Sequence, residues 1–514
     1  MDAIIKKIIL FEDSGEWKGQ CAIKIREALE ATNSVNISGN FVNRAGKILL
    51  DPLATPDLLA GINYPACVKY CGHNQLSTVF NYEIFSAGIN NYFLPWIALT
   101  AQLPFETGEN DVLANVMSFC YAVGSPMLIT YALATTILNQ HWLREKFLKL
   151  EASDRPLHST SKNVRIFLQE NQQLPLRLSQ EDGSLASLIV LSDNIDWWEK
   201  LKTSILLTRR GVTLSLIAQI LVAALSWVLT IISSFVSSLG NASEALALSA
   251  GCLWVWLWPR GGVNFGQGDL KGDVLALSRY CGLASRNAMG PEQINEYPHW
   301  SQLDSEFYQR MVIAVIIAVY VQWGTTGAGI IIAYLTEVTG LGCRSGGYLL
   351  YGAVATAAFF CLFISSIFSH AAMLRHQELQ VDRIHTLQRG TIASPGSGRA
   401  FGRGSTHGRK LALGHSALRF CAVFTRMLGR TLALGNALWI ILSTIWELAG
   451  FYDNCWCDST YISKRAAGWV LLFVEKDDMA HAAATSWAGG VLLSIFVGAT
   501  TCGVFWLYCR GSHT

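Results

Sequence analysis

The sequence predicts an all-α, polytopic transmembrane helical bundle of about eight spans. Of its 514 residues, 51% are hydrophobic and only 15% are charged, whereas soluble proteins carry about 25% charged residues. Apolar runs long enough to cross about 30 Å of hydrocarbon recur along the chain. The loops 139–210, 259–310 and 374–430 are basic, whereas the turns at 105–112 and 239–244 contain no Lys or Arg. Together these observations predict an integral membrane protein of the plasma membrane or an endomembrane.

Eight apolar runs define the expected spans, because each approaches the roughly 20 residues that a membrane-crossing helix needs. The first contains Asn90, Asn91 and Pro95, and the fourth is short, so either fits a re-entrant segment instead. The eight runs are Phe85–Pro104, Leu113–Leu138, Gly211–Ser238, Ala245–Trp258, Met311–Leu335, Tyr348–Met373, Thr431–Phe451 and Ala484–Cys509.

The charge pattern predicts orientation, since positively charged loops stay in the cytosol. Three basic loops follow the first three helical hairpins, and an even number of spans then places both termini in the cytosol. The resulting divisions are an N-terminal tail at 1–84, hairpins at 85–138, 211–258 and 311–373, cytosolic loops at 139–210, 259–310 and 374–430, and two last spans at 431–514.

Two of the cytosolic loops have a distinctive composition. In 139–210, aromatic and basic residues recur at helical spacing, which predicts helices lying in the membrane interface or extensions of the neighbouring spans. The loop 374–430 is rich in Gly, Ser and Arg and is expected to be disordered. It has no acidic residue after Arg383, so it is expected to attract anionic lipid headgroups. Nucleic-acid binding is the less favoured alternative, and no nucleic-acid partner is expected.

Cysteines and glycosylation sequons test this orientation. The loops that contain Cys343, and Cys455 with Cys457, are predicted to be non-cytosolic, where a disulfide between them would persist; free thiols are the alternative. The tail contains the CxxxC pair Cys67 and Cys71, further disulfide candidates. That pair fits an external tail better than a cytosolic one. Candidate glycosylation sites are Asn36, in the same tail, and Asn241.

The sequence contains few motifs for catalysis or for binding metals and nucleotides. The CxxxCxH arrangement of Cys67, Cys71 and His73 has no matching second ligand pair, which structural zinc commonly requires. The glycine-rich GGVNFGQGD lacks the order of a phosphate-binding loop. No catalytic residue, metal or cofactor is therefore predicted. Few ionisable residues lie near the membrane. Glu337 and Glu447 would face an outer vestibule or lie among headgroups. Arg419, Arg426 and Arg430, on one helical stripe before the seventh span, are expected to extend to lipid phosphates.

The fifth span contains the stretch QWGTTGAGIIIAY, whose polar and small residues are costly inside a bilayer. Gly324, Gly327 and Ala328 expose a bare face that permits close helix packing. Gln322 requires a partner across an interface, or water, whereas Thr325 and Thr326 can bond to their own helix. Packing explains the glycines, and a lined cavity would explain both the glycines and Gln322, Thr325 and Thr326.

Several motifs carry a resemblance to a known family. The sequence QWGTTGAGIIIAYLTEVTGLGCRSGGYLLYG, with PACVKYCG, VGSPML and FYDNCWCDS, resembles a large fungal family of polytopic membrane proteins, mostly without assigned function. The resemblance extends from about Asn36 onward. It implies a fungal source and a multi-span membrane protein, and it carries over no established active site.

Three functional classes follow. A transporter or channel is favoured by the polar, glycine-interrupted fifth span. A non-enzymatic scaffold or receptor is the alternative; seven spans with an external N-terminus would suit a receptor. A membrane-embedded enzyme of lipid or terpenoid metabolism is the third class, although no DDxxD-like or HxxxH-like set is present. Membrane lipids are the expected partners, and an oligomer is compatible with the sequence.

Overall fold

A computed structural model shows a mostly helical protein, which confirms the all-α class. Among the residues that the structure describes, four helices are long and apolar enough to cross a membrane, which indicates a membrane protein. The structure describes residues 2–12, 17–31, 39–52, 54–72, 112–151, 155–170, 189–190, 194–208, 214–237, 239, 242–253, 299–336, 340–392 and 404–510.

The N-terminal residues form a small folded unit. It contains α1 (Asp2–Ile9), α2 (Trp17–Ala31), β1 (Phe41–Val42), β2 (Gly61–Asn63) and α3 (Tyr64–Cys71). Helix α3 begins at an Asn63 N-cap, whose side chain accepts a hydrogen bond from the Ala66 N–H, with proline in the first turn. Both features are common sequence signals for the start of a helix.

The unit is completed by a distant part of the chain. Strand β3 (Trp469–Leu471) pairs antiparallel with β2, giving the sheet order β1-β2-β3. Val470 and Phe473 join one buried apolar cluster with Ile8, Trp17 and other N-terminal residues. We call the described parts of 2–72 together with 449–475 the cap. The short helix α13 (Tyr461–Lys464) also lies in it.

The helical bundle follows. Its first helices are α4 (Val112–Gly124) and α5 (Pro126–Glu151), which meet at Ser125. The remaining helices are α6 (Arg155–Glu170), α7 (Ile195–Thr208), α8 (Leu214–Ser237), α9 (Ala242–Leu253), α10 (Ser305–Tyr334), α11 (Cys343–Ile392), α12 (Gly404–Leu448) and α14 (Lys476–Arg510). The four long apolar helices are α10, α11, α12 and α14. The predicted count of eight spans is not confirmed.

The two ends of the bundle differ. At one end, called the disulfide end, Cys343 at the start of α11 is bonded to Cys457 in the cap. At the other, α11 and α12 extend far beyond the membrane. Helix α11 has 50 residues and α12 has 45, so each is about 70 Å long, against about 45 Å for a bilayer with its headgroups. The two helices lie antiparallel and pack against each other. We call their ends beyond the bundle, 374–392 and 404–425, the hairpin.

This hairpin corrects the expectation of a disordered loop over 374–430. Residues up to 392 and from 404 onward are helical, and only 393–403 lie outside the described residues. Ser365 Oγ donates to Ala422 O over 2.7 Å, and the rings of His376 and His415 lie 5.2 Å apart. Each helix therefore supplies the partner surface that the Gly- and Arg-rich composition of the loop did not indicate.

The position of the cap contradicts the predicted placement of the N-terminal tail and the Cys-bearing loops on opposite sides of the membrane. Cys67 is bonded to Cys455, so residues 2–72 lie at the disulfide end, on the same side as the loops that were predicted to be non-cytosolic. The C-terminal end of α14 lies at the opposite end. The predicted first span, Phe85–Pro104, lies outside the described residues, as do Asn36, Asn241 and most of 259–310.

Loop 139–210 contains helices, and the expectation that some of them lie in the membrane interface stays a prediction. Its first part continues α5 as far as Glu151, the alternative of a helical extension. Its last part forms α7, where Trp198 is fully buried and packs 5.7 Å from the Phe167 ring of α6. Aromatic residues at helical spacing here serve helix–helix packing.

Two of the disulfides join segments on either side of residues 393–403, which gives a direct test of the fold. If a protease site is inserted there, cleavage should leave both fragments joined on a non-reducing gel and separate them after reduction. Either Cys67–Cys455 or Cys343–Cys457 is sufficient for the link. The single variant Cys455→Ser should therefore keep it, and the double variant with Cys457→Ser should lose it. Fragments that stay joined in the double variant would show that the pairing is wrong.

Candidate functional site

The centre of the bundle contains a helix discontinuity. Pro126 has no N–H, so the hydrogen-bond ladder between α4 and α5 is interrupted at Gly124–Ser125–Pro126. One helical hydrogen bond remains at this point, because the Ser125 N–H donates to Tyr121 O over 3.0 Å. Backbone groups released inside a membrane need partners from the protein, because hydrocarbon supplies none.

Side chains from three other helices provide these partners. From α11, Tyr351 Oη donates to Val123 O over 2.6 Å. From α12, Asn436 Nδ2 donates to Gly124 O over 2.7 Å and to Tyr351 O over 3.0 Å. The arrangement fixes α4, α11 and α12 around one point. We call it the break site; it comprises residues 123–127 with Gln322, Tyr351 and Asn436.

Gln322, from α10, completes the break site. Its Oε1 accepts the N–H of Met127, in the first turn of α5, over 3.1 Å, and its Nε2 donates to Thr326 Oγ1 over 3.0 Å. The Gln322 side chain has no solvent exposure. Thr325 bonds back to Val321 O over 2.8 Å. The polar residues of the fifth predicted span are therefore engaged within the protein at a closely packed junction.

Close packing extends around this junction. A Cβ added at Gly124 would overlap the backbone oxygen of Ala433 in α12. A Cβ at Gly324 would lie 2.5 Å from Val497 of α14. Ala328 is fully buried, and Gly490 of α14 approaches it so closely that an added Cβ would lie 2.8 Å from its carbonyl oxygen. Gly327 has looser surroundings, with Leu493 at 4.0 Å.

A second polar cluster lies at the disulfide end, around Arg344. Its guanidinium lies 2.6 Å from Glu447 Oε1, 2.7 Å from Asp458 Oδ1 and 3.3 Å from Asp453 Oδ1. The side chains of Arg344, Glu447 and Asp458 are 7%, 4% and 2% exposed, whereas that of Asp453 is 41% exposed. We call these four residues the arginine cluster.

The arginine cluster gives Glu447 a role that the sequence did not indicate. Glu447 is buried and paired, so it joins the end of α12 to the start of α11. Asp458 extends the link into the cap, beside the Cys343–Cys457 disulfide. Burial, followed by the nearby Glu447 carboxylate, raises the pKa of Tyr452 to about 12. Glu337 lies outside the described residues.

Sequence reasoning missed several residues of these two sites: Ser125, Tyr351, Asn436, Arg344, Asp453 and Asp458. Asn436 carried a usable signal, since an amide within the apolar run LALGNALW is as costly in a membrane as Gln322. Pro126 in VGSPML carried another, because proline interrupts a helix. Arg344 follows Cys343 directly and has no distinguishing pattern of its own.

The cysteines of the cap form a compact group. Cys21 is bonded to Cys71, and Cys67 to Cys455. The CxxxC cysteines thus pair with other partners and not with each other. The sulfurs of Cys21, Cys67 and Cys71 lie within 4.8 Å of one another and are buried. Because all three are in disulfides, they offer no thiolate to a metal.

Comparisons with known proteins give no relative. No family model matches the chain, and no curated protein and no solved structure matches it significantly. The resemblance to fungal membrane proteins stays a prediction, and function has to be argued from the geometry of the break site, the arginine cluster and the helices between them.

The break site predicts a stability effect for Gln322→Leu. The substitution leaves the buried Met127 N–H and Thr326 hydroxyl without their amide partner, so the free energy of unfolding should fall by about 1–2 kcal/mol. Gln309→Leu is the matched control, because Gln309 is an exposed amide on the same helix. Denaturation in detergent micelles measures both variants. Equal stability of the two would contradict the assigned role.

The arginine cluster predicts a larger effect for Arg344→Gln. Removing the cation leaves Glu447 and Asp458 buried without their main countercharge, which should cost about 3–5 kcal/mol. Arg375→Gln breaks an exposed pair with Glu378 and should cost about 0.5 kcal/mol or less. Thermal unfolding of both variants in nanodiscs provides the comparison. A loss no larger than that of Arg375→Gln would show that the cluster does not hold the disulfide end together.

Proposed function

We propose that this protein is a receptor-like membrane scaffold that couples its cap to the helical hairpin at the opposite end. The observation that carries the proposal is the continuity of α11 and α12. Both begin or end at the arginine cluster and the Cys343–Cys457 disulfide. Both then run without interruption through the bundle into the hairpin.

Contacts between the two helices support their movement as one unit. A Cβ added at Gly429 would lie 2.8 Å from Leu362 and 3.1 Å from Ala358 O, so the helices cross in close contact there. Arg426 donates to Ser369 Oγ over 3.0 Å further along. A displacement imposed at the cap would therefore be carried along both helices, because packed side chains transmit strain.

The topology that we propose has seven crossings: α4 with α5 as one, and α8, α9, α10, α11, α12 and α14. This arrangement puts the cap outside the cytosol, where its disulfides persist, and the hairpin inside. The basic composition of α12 around Arg419, Arg426 and Arg430 supports the same orientation. An external N-terminal unit with seven crossings is suited to a receptor.

Transport is a second candidate, and one observation favours it. Discontinuous helices that release backbone groups at mid-membrane form the binding sites of many transporters, and the α4–α5 junction is a discontinuity of this kind. Asn436 Oδ1 is a buried acceptor without a hydrogen-bond partner in the described part of the chain. Against transport, both amide atoms of Gln322 are engaged inside the protein.

Hydrogen exchange in nanodiscs tests the coupling. Exchange of backbone amides in 374–392 and 404–425 is compared among the wild type, Arg344→Gln and Cys67→Ser. Both variants loosen the cap, so the distant hairpin should exchange several-fold faster. Lys47→Gln, which removes an exposed cap charge, should leave the hairpin unchanged.

Two outcomes would overturn the receptor proposal. The first is unchanged hairpin exchange in variants whose cap is measurably loosened. The second is a sodium or proton flux into proteoliposomes that the wild type supports and Gln322→Leu abolishes while remaining folded, which would establish transport instead.

A further inference from the structure

One face of α12 is exposed and has an unusual composition. Phe420 is 69% exposed, Phe424 57% and Met427 55%. Towards the disulfide end the same face continues with Leu438 and Leu442, which are also exposed. These five residues define an apolar stripe along α12.

A row of arginines runs beside the apolar stripe. At about 100° per residue, Arg419, Arg426 and Arg430 lie within about 40° of one another around the helix and span about 16 Å along it. All three are exposed. Within the described residues none of them forms a salt bridge, and no acidic residue occurs in the sequence between Arg383 and Glu447. Arg426 is held by Ser369, which limits its freedom.

The depth of the arginine row matches the surface of a membrane leaflet. Arg430 is 17 residues from Glu447 and Arg426 is 21 residues from it, which corresponds to about 25 and 31 Å of helix. The hydrocarbon layer is about 30 Å thick. With the arginine cluster at one membrane surface, Arg426 and Arg430 therefore reach the headgroups of the other leaflet, and Leu438 and Leu442 lie beside the acyl chains.

We propose that this face binds an anionic phospholipid of the leaflet nearest the hairpin. Arg426 and Arg430 hold the phosphate, Phe424 and Met427 lie beside the headgroup, and the acyl chains extend along the stripe towards Leu438. Charge complementarity selects an anion, because a second copy packed through the same face would bring two arginine rows together without a compensating carboxylate. The site is independent of the receptor proposal.

Native mass spectrometry of the full-length protein tests the site, with phosphatidylglycerol titrated into detergent micelles against phosphatidylcholine. An interfacial basic residue contributes enough attraction that its loss weakens binding about fivefold. Arg426→Gln and Arg430→Gln should each produce that loss, and the double variant about 25-fold. Arg426→Lys should bind as the wild type does, because charge is retained. Inorganic phosphate should not compete, because it lacks the acyl chains.

Two controls separate lipid binding from structural damage. Ser369→Ala removes the hydrogen bond to Arg426 but no charge, so it should retain the phosphatidylglycerol preference. Arg375→Gln removes an exposed arginine of α11 that pairs with Glu378, and should also retain it. The proposal is overturned if Arg375→Gln weakens binding as much as Arg426→Gln, or if the double variant keeps wild-type affinity. A dimer in lipid-depleted micelles that dissociates in the variant Phe424→Ser would assign the face to a second copy instead.

Discussion

A guanidinium that leaves water needs carboxylates close to it, because each buried ion otherwise costs several kcal/mol. Arg344 satisfies this requirement with Glu447 at the end of α12 and Asp458 in the cap. The ends of two long helices and the cap are therefore held at one place. The Cys343–Cys457 disulfide lies directly beside this cluster and makes the same junction covalent. The cap, the helix pair and the hairpin all take their positions from it.

The bundle centre obeys the same rule for neutral groups. Pro126 leaves backbone groups without helical partners where no water is expected. Three side chains from different helices form hydrogen bonds to these groups: Gln322, Tyr351 and Asn436. A polar side chain in an apolar span thus serves first to complete another helix. Such a junction resists sliding, since moving any one helix would break hydrogen bonds to the others. A rigid centre favours transmission between the two ends over passage of a solute.

The two ends present different chemistry to their surroundings. The cap is stabilised by disulfides and a buried apolar cluster, so it is suited to an oxidising space. The hairpin end exposes arginines and aromatic residues on α12, which suits contact with anionic headgroups. A lipid bound at Arg426 and Arg430 would contact the helix pair to which the cap is attached at the disulfide end. Its binding would favour one position of the hairpin. The two proposals thus meet on α12, although each has separate support.

The sequence by itself determined the all-α class and the apolar helices, and it brought forward the Cys343 loop and the loop of Cys455 and Cys457 as candidates for a disulfide, with free thiols as the alternative. These depend on composition and on residues near one another along the chain. Tertiary structure alone decided that Cys67 pairs with Cys455, 388 residues away, that Gln322 completes α5, and that the Gly- and Arg-rich loop is a helical hairpin. Helical spacing shows which residues share a face. Which faces meet depends on how all the helices pack, and only the packed bundle brings Arg344 to Glu447 or Asn436 to Gly124.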